Sequence, residues 1–166
     1  MVSYVVYGRG SFNQLDEILA PHRKGTAPMI FLVDHFFEGK PLLDRIPLRG
    51  NDKILLADVT HEPKTTQVDA LAFQLKQEFG TISGIIGIGG GSTMDLAKAV
   101  SLMMTNPGSS ADYQGWDLVK QAGDLFLPEK LVLLQCYAAV LKIVDGIVHP
   151  RLLLHIAQLH ICIAEL

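Results

Sequence analysis

Short apolar runs alternate along the chain with longer segments in which apolar residues recur at helical spacing. Buried strands are predicted where β-branched and other apolar residues follow one another over strand-like lengths, at 2–7, 29–33, 53–59 and 84–88. Helices are predicted over 12–20, over 65–79 and from about residue 92. This alternation indicates an α/β fold with a doubly wound parallel sheet and right-handed crossovers.

A glycine-rich turn between the strand at 84–88 and the next helix carries the clearest functional signal. Gly89, Gly90 and Gly91 are followed by Ser92, and a helix starting here directs free backbone N–H groups toward an anion. A Cβ atom would block a phosphate that approaches the backbone, which explains the glycines. Ser92 is the expected N-cap, with Asp95 completing a pair like a capping box. The alternative is a turn that only packs the helix closely on the strand, but three consecutive glycines exceed that need.

Asp34 is a second candidate for contact with a ligand. It follows the apolar run at 29–33, and a carboxylate at the carboxyl end of a parallel strand lies where open α/β sheets bind ligands. There it can accept hydrogen bonds from a ribose diol. The alternative is an aspartate that caps the loop beside His35, because Asp often begins turns. The sequence leaves both interpretations open.

Length and charge narrow the classes of function. The 166 residues indicate one domain, or one domain with a small appendage. A net charge of −3 gives no electrostatic case for binding nucleic acid, and no apolar run reaches the ~18 residues that a membrane span needs. The N-terminus lacks the pattern of a secretory signal, and two cysteines make no disulfide framework. A cytoplasmic location is therefore expected.

The glycine-rich turn is similar to the GGGS element of the iron-containing alcohol dehydrogenases. Met94 stands where a G-x-G-x-x-G motif needs its third glycine, and no G-K-[ST] follows, so the commoner phosphate-binding motifs are absent. The family pattern GIGGGSxxDxAK instead matches residue for residue through Lys98. Further matches are GRGSF, Asp34, ADVTHEP and YQGWDLVK. Together they extend the resemblance over residues 1–123 and toward one branch, the 3-deoxy-D-manno-octulosonate (Kdo) 8-oxidases.

The resemblance implies how a dinucleotide cofactor is held. The residues that it assigns to the cofactor are Asp34, Gly89, Gly90, Gly91, Ser92 and Asp95. Gly89 would shape the turn, and Asp34 would meet the adenosine ribose and disfavour a 2′-phosphate. The implied cofactor is therefore NAD rather than NADP. Glu62 and Pro63 would lie close to the adenine side.

Residues 124–166 are predicted to form a Leu-rich, mostly helical tail behind the α/β dinucleotide-binding domain of residues 1–123. Family members continue with a TxxGTGSE-like loop and a helical domain that supplies one Asp and three His to a divalent metal. The tail contains no GTG and one of the 15 glycines. Asp145 and His149 stand at i,i+4, as two ligands on one helix face would, but a glycine and a proline flank them. The family implies iron or zinc, but no metal ligand is assigned in this chain.

The implied function is that of a metal-dependent alcohol oxidoreductase with a small-molecule substrate. In the branch that the chain resembles, oxidation of the C8 hydroxyl of Kdo leads to an 8-amino sugar of some lipopolysaccharides. Two alternatives are left open: an NAD-binding module without turnover, and an inactive fragment that is truncated or altered in reading frame. Whether the chain catalyses a reaction, and whether it forms a homodimer, are left open as well.

Overall fold

The computed structural model describes residues 4–7, 10–114, 118, 131–135 and 161–164. Its strands are β1 (Tyr4–Tyr7), β2 (Met29–Asp34), β3 (Lys53–Ala57), β4 (Gly84–Ile88), β5 (Leu131–Gln135) and β6 (Ile161–Ala164). They form one six-stranded sheet in the order β1-β6-β5-β4-β2-β3, and every neighbouring pair is parallel. The predicted parallel α/β fold is confirmed.

The helices in the described part of the chain are α1 (Leu15–Leu19), α2 (Thr65–Phe79) and α3 (Gly91–Thr105). Helix α2 has its predicted bounds, whereas α1 is shorter than the predicted helix over 12–20. The 3₁₀ turns Ser11–Gln14 and Ala20–His22 flank α1. Pro21 has no N–H to donate to the preceding turn, so the helix tightens and ends there. None of these helices is long and apolar enough to cross a bilayer.

The central strands β2 and β4 are covered on both faces. Alternate side chains of a strand point to opposite sides of the sheet, and each side has its own buried cluster. One cluster joins the strands to the region of α1 and includes Phe12, Leu15, Leu19, Phe31 and Ile86. The other joins them to α2 and α3 and includes Leu32, Val68, Leu75, Leu96 and Val100. Burial on both faces explains why β2 and β4 are almost continuously apolar in sequence.

The tail that was predicted to be mostly helical contains strands where the structure describes it. Both described segments of residues 124–166 are strands: β5 pairs with β4, and β6 lies between β5 and β1. Periodicity cannot distinguish a short apolar run in a buried strand from one in a buried helix. The edges of β4 and β1 offer backbone donors and acceptors, and pairing with them decides for strands. The remainder of the tail, with Asp145 and His149, lies outside the described residues.

A buried carboxylate fixes the start of β2. Asp52 Oδ1 accepts a hydrogen bond from the backbone N–H of Met29 at 2.8 Å. Its Oδ2 accepts from Arg23 Nη1 at 2.6 Å and from the backbone N–H of Arg49 at 2.8 Å. The Asp52 side chain is 2% exposed, so these donors replace the water that it loses on folding. They hold the strand that ends at Asp34.

Candidate functional site

The two regions singled out in the sequence meet at the carboxyl edge of the sheet. Strand β2 ends at Asp34, β4 ends at Ile88, and the glycine turn follows directly. Val33 is in register with Ile88, and Asp34 is in register with Ala57 of β3. Because parallel strands end at the same edge, Asp34 and the glycine turn become neighbours, in the position where open α/β sheets bind ligands.

Gly89 has a packing role that differs from that of the next two glycines. A Cβ on Gly89 would lie 2.5 Å from Thr93 Oγ1, 2.8 Å from Thr93 Cβ and 2.9 Å from Asp34 Cβ. Its φ of +158° is also one that other residues rarely adopt. Gly89 is therefore required because it lets α3 and the end of β2 approach each other across the turn.

Gly90 and Gly91 border open space instead. A Cβ built on either residue meets no atom of the described residues within 4 Å, and both glycines are exposed. Helix α3 begins at Gly91, and the bond from Met94 N–H to Gly90 O, at 3.1 Å, closes its first turn. The N–H groups of Gly91, Ser92 and Thr93 precede that bond and have no acceptor inside the helix. The backbone here forms an accessible cradle that fits the pyrophosphate of a dinucleotide.

The expected N-cap at Ser92 is wrong. Helix α3 is capped by Gly90 in an extended conformation, with no hydrogen bond from a capping side chain. Ser92 is the second helical residue, and the Asp95 carboxylate pairs with Lys98 Nζ at 3.2 Å rather than turning back to the cap. Since a glycine cap offers no side-chain oxygen, the first N–H groups of the helix are left for a ligand.

Asp34 caps the loop that follows β2, as one of its two interpretations expected. Its Oδ1 accepts a hydrogen bond from the backbone N–H of Phe36 at 2.9 Å, so Asp34 does cap the following 3₁₀ turn. Its Oδ2 accepts from the hydroxyl of Thr93 at 3.4 Å. The side chain is nevertheless 19% exposed, and a carboxylate has about four lone-pair sites. Capacity to accept a ribose hydroxyl remains.

A cavity of about 300 Å³ opens beside the carboxyl end of β3, where α2 begins. Its lining is polar and charged: Asp58, His61, Glu62, Lys64, Thr66 and Gln67. Glu62 is the lining residue that the sequence had already placed near the cofactor. The other five lining residues also follow the end of β3. This position is the only feature of the sequence that indicates a role in ligand binding for them.

His35 connects this cavity to Asp34. Its Nδ1 lies 3.5 Å from Asp34 Oδ1 and 3.8 Å from Asp58 Oδ1, and 3.2 Å from the carbonyl oxygen of Ala57. The pKa of Asp58 is lowered from its ordinary value, mainly because the Thr60 hydroxyl donates to the carboxylate at 2.6 Å. The glycine turn, Asp34 and the cavity therefore form one polar edge of the sheet.

A metal site is not found in the part of the chain that the structure describes. No three side chains of His, Cys, Asp or Glu among these residues are arranged so that they could hold a metal ion, and a catalytic zinc site usually has three protein ligands. The described residues thus do not fit the iron or zinc that the family implies. Asp145 and His149, the residues of the tail that had been considered as ligands, lie outside the described residues.

Comparison with known proteins agrees with the fold. The family model described as iron-containing alcohol dehydrogenase matches residues 3–133. The chain belongs to the iron-containing alcohol dehydrogenase family. The match runs beyond residue 123 into β5, so the resemblance does not stop where the sequence had suggested.

Relatives within the family act on different alcohols and aldehydes. The NAD-dependent methanol dehydrogenase of Bacillus methanolicus is 29% identical over 120 residues, which are 70% of this chain and 30% of that enzyme. Two crystal structures share the fold. The sulfoacetaldehyde reductase of Bifidobacterium kashiwanohense, in complex with NAD⁺, has a TM-score of 0.66 at 22% identity, over 98% of this chain and 44% of its own. An alcohol dehydrogenase from Oenococcus oeni has a TM-score of 0.73 at 17% identity, over 99% and 45%. The chain thus spans less than half the length of these relatives.

Proposed function

We propose that the chain provides the NAD-binding part of an alcohol oxidoreductase. The observation that carries this proposal is the cradle at the start of α3, where N–H groups without an acceptor inside the helix border space that no side chain of the described residues fills. The family assignment over residues 3–133 favours this function over the two alternatives, an NAD-binding module without turnover and an inactive fragment. In such an enzyme the bound nicotinamide accepts the hydride that leaves the alcohol carbon.

The described residues divide the binding of NAD between them. Backbone N–H groups at Gly91, Ser92 and Thr93 would donate to the pyrophosphate, which the positive end of the α3 dipole also favours. The Asp34 carboxylate would accept from the adenosine ribose, and the cavity at the end of β3 has the position expected for the adenine side. A 2′-phosphate would stand next to Asp34 with like charge. The proposal is therefore NAD rather than NADP.

Calorimetric titration with parts of the cofactor tests the cradle. NAD and ADP-ribose both contain the pyrophosphate and should bind, whereas adenosine, which lacks it, should bind far more weakly. Charge-assisted hydrogen bonds are each worth about 1.5–3 kcal/mol, so the loss of two of them should make the affinity for adenosine at least ~100-fold lower than that for ADP-ribose. Equal affinity for adenosine and ADP-ribose would show that the glycine turn is not the pyrophosphate site.

For the substrate we propose the C8 hydroxyl of Kdo, in the synthesis of an 8-amino sugar for lipopolysaccharide. The support is the set of branch-like segments, above all the stretch YQGWDLVK at 113–120. In the presence of NAD, the protein should bind Kdo more tightly than 1-propanol, as measured by calorimetric titration. A preference for the simple alcohol would contradict this substrate while leaving the cofactor site intact.

A further inference from the structure

Thr93 lies at the junction of the glycine turn and Asp34, although it is a variable position of the motif pattern. It is the third residue of α3, and it is fully buried, with 0% exposure. Its hydroxyl reaches across 59 positions of sequence to donate to Asp34 Oδ2 at 3.4 Å. A buried hydroxyl without an acceptor is costly, so this bond accounts for a polar side chain at a fully buried position.

The two oxygens of Asp34 are held from opposite sides. The backbone N–H of Phe36 binds Oδ1 at 2.9 Å, from the loop that follows β2. Thr93 binds Oδ2 from the first turn of α3. With a donor on each oxygen, the carboxylate plane has one preferred orientation. Loss of the Thr93 bond would leave Asp34 held at Oδ1 alone and free to turn about that bond.

The glycine turn makes this arrangement possible. The space that a Cβ of Gly89 would occupy is bounded by Thr93 Oγ1 at 2.5 Å and by Asp34 Cβ at 2.9 Å. The same helix start that presents N–H groups to the cradle therefore also carries the hydroxyl that reaches Asp34. The Thr93 side chain therefore joins the pyrophosphate cradle to Asp34, the residue predicted to bind the ribose.

We propose that Thr93 is a positioning residue that sets cofactor specificity through Asp34. Its hydroxyl holds the carboxylate in the orientation that receives the ribose diol and opposes a 2′-phosphate. This inference rests on the proposed NAD site, but it concerns the side chain of Thr93, which contacts Asp34 rather than the cofactor. A side chain of the same shape without the hydroxyl should leave the cradle unchanged and release Asp34.

The test compares Thr93→Val with Thr93→Ser in calorimetric titrations of NAD and NADP. Valine keeps the volume and removes the donor, whereas serine keeps the donor. The ratio of NAD to NADP affinity should fall roughly three- to fivefold in Thr93→Val, toward the lower end of the range for one hydrogen bond because the contact of 3.4 Å is long. It should stay within about twofold of the native ratio in Thr93→Ser. If circular dichroism shows that the Thr93→Val protein does not fold, Thr93→Ala, which also lacks the hydroxyl, takes its place in the titrations.

A double-mutant cycle with Asp34→Ser shows whether Thr93 acts through Asp34. In the Asp34→Ser background, Thr93→Val should leave the NAD to NADP ratio unchanged within about twofold, because the group that Thr93 orients is gone. An equal loss of both affinities in Thr93→Val would indicate a structural role only and overturn the inference. A change of the ratio that persists without Asp34 would also overturn it. If the native chain binds no NAD, the proposed function itself fails, which is a separate outcome.

Discussion

Gly91→Val separates the folding role of the glycine turn from its binding role. A Cβ at Gly91 meets no atom within 4 Å in the part of the chain that the structure describes, so the native backbone accepts a side chain there without a clash. Valine is also a better helix former than glycine by a few tenths of a kcal/mol. We therefore expect the free energy of unfolding to change by less than about 1 kcal/mol.

The effect on binding should be much larger. The branched side chain would fill the space in front of the N–H groups of Gly91, Ser92 and Thr93, which no hydrogen bond inside the helix satisfies. Two lost bonds to a charged pyrophosphate, at about 1.5–3 kcal/mol each, amount to ~3–6 kcal/mol. The dissociation constant for NAD should then rise at least ~100-fold.

Isothermal titration calorimetry with NAD measures this change, with thermal unfolding recorded for each variant. Gly91→Ala adds only a methyl group and should give a smaller loss of affinity than valine. Gln77→Val places the same side chain on an exposed position of α2 and should leave NAD binding unchanged. A folded Gly91→Val protein that binds NAD as tightly as the native chain would refute the cradle.

Three further predictions address Asp34, Asp52 and Asp69. Asp34→Ser or Asp34→Gly should narrow the preference for NAD over NADP by ~1–3 kcal/mol of binding free energy, measured by titration. If the native protein binds NAD and NADP equally well, the like-charge argument is contradicted. Asp52→Ala removes the acceptor of three donors at the start of β2. Because Arg23 then loses its partner, urea unfolding should show a loss of about 3–5 kcal/mol, and a loss below ~1 kcal/mol would be inconsistent with this. The pKa of Asp69 is lowered, mainly because the Ser109 hydroxyl donates to it at 2.5 Å and the Ser110 N–H adds a bond at 2.7 Å. A lowered folded-state pKa stabilises the protein above the unfolded pKa near 4, and this stability is lost as the pH falls through the folded value. Asp69→Asn should thus lower the free energy of unfolding at pH 7, and this cost should shrink as the pH falls below about 4; a cost that does not change with pH would refute this.

Much of the fold and part of the candidate site were determined by the sequence alone. Strands β2 and β4 are nearly continuous apolar runs because both of their faces are buried. The glycines and Asp34 follow the carboxyl ends of these strands, and parallel pairing places all such ends at one edge. Local composition and one topological rule were sufficient to predict that Asp34 and the glycine turn lie at the same edge.

The tertiary structure decided the contacts between distant parts of the chain. Ser92 looked like the N-cap from its neighbours, but Gly90 is the N-cap, so α3 starts two residues earlier than that prediction. Residues 131–135 and 161–164 became strands because they pair with β4 and β1, which no local pattern reveals. The hydrogen bond from Met29 to Asp52 joins residues 23 positions apart. The hydrogen bond from Thr93 to Asp34 joins residues 59 positions apart. A side chain's partner at such separations depends on how the sheet and helices pack, so the buried donors and acceptors around Asp34 could be identified only in the folded chain.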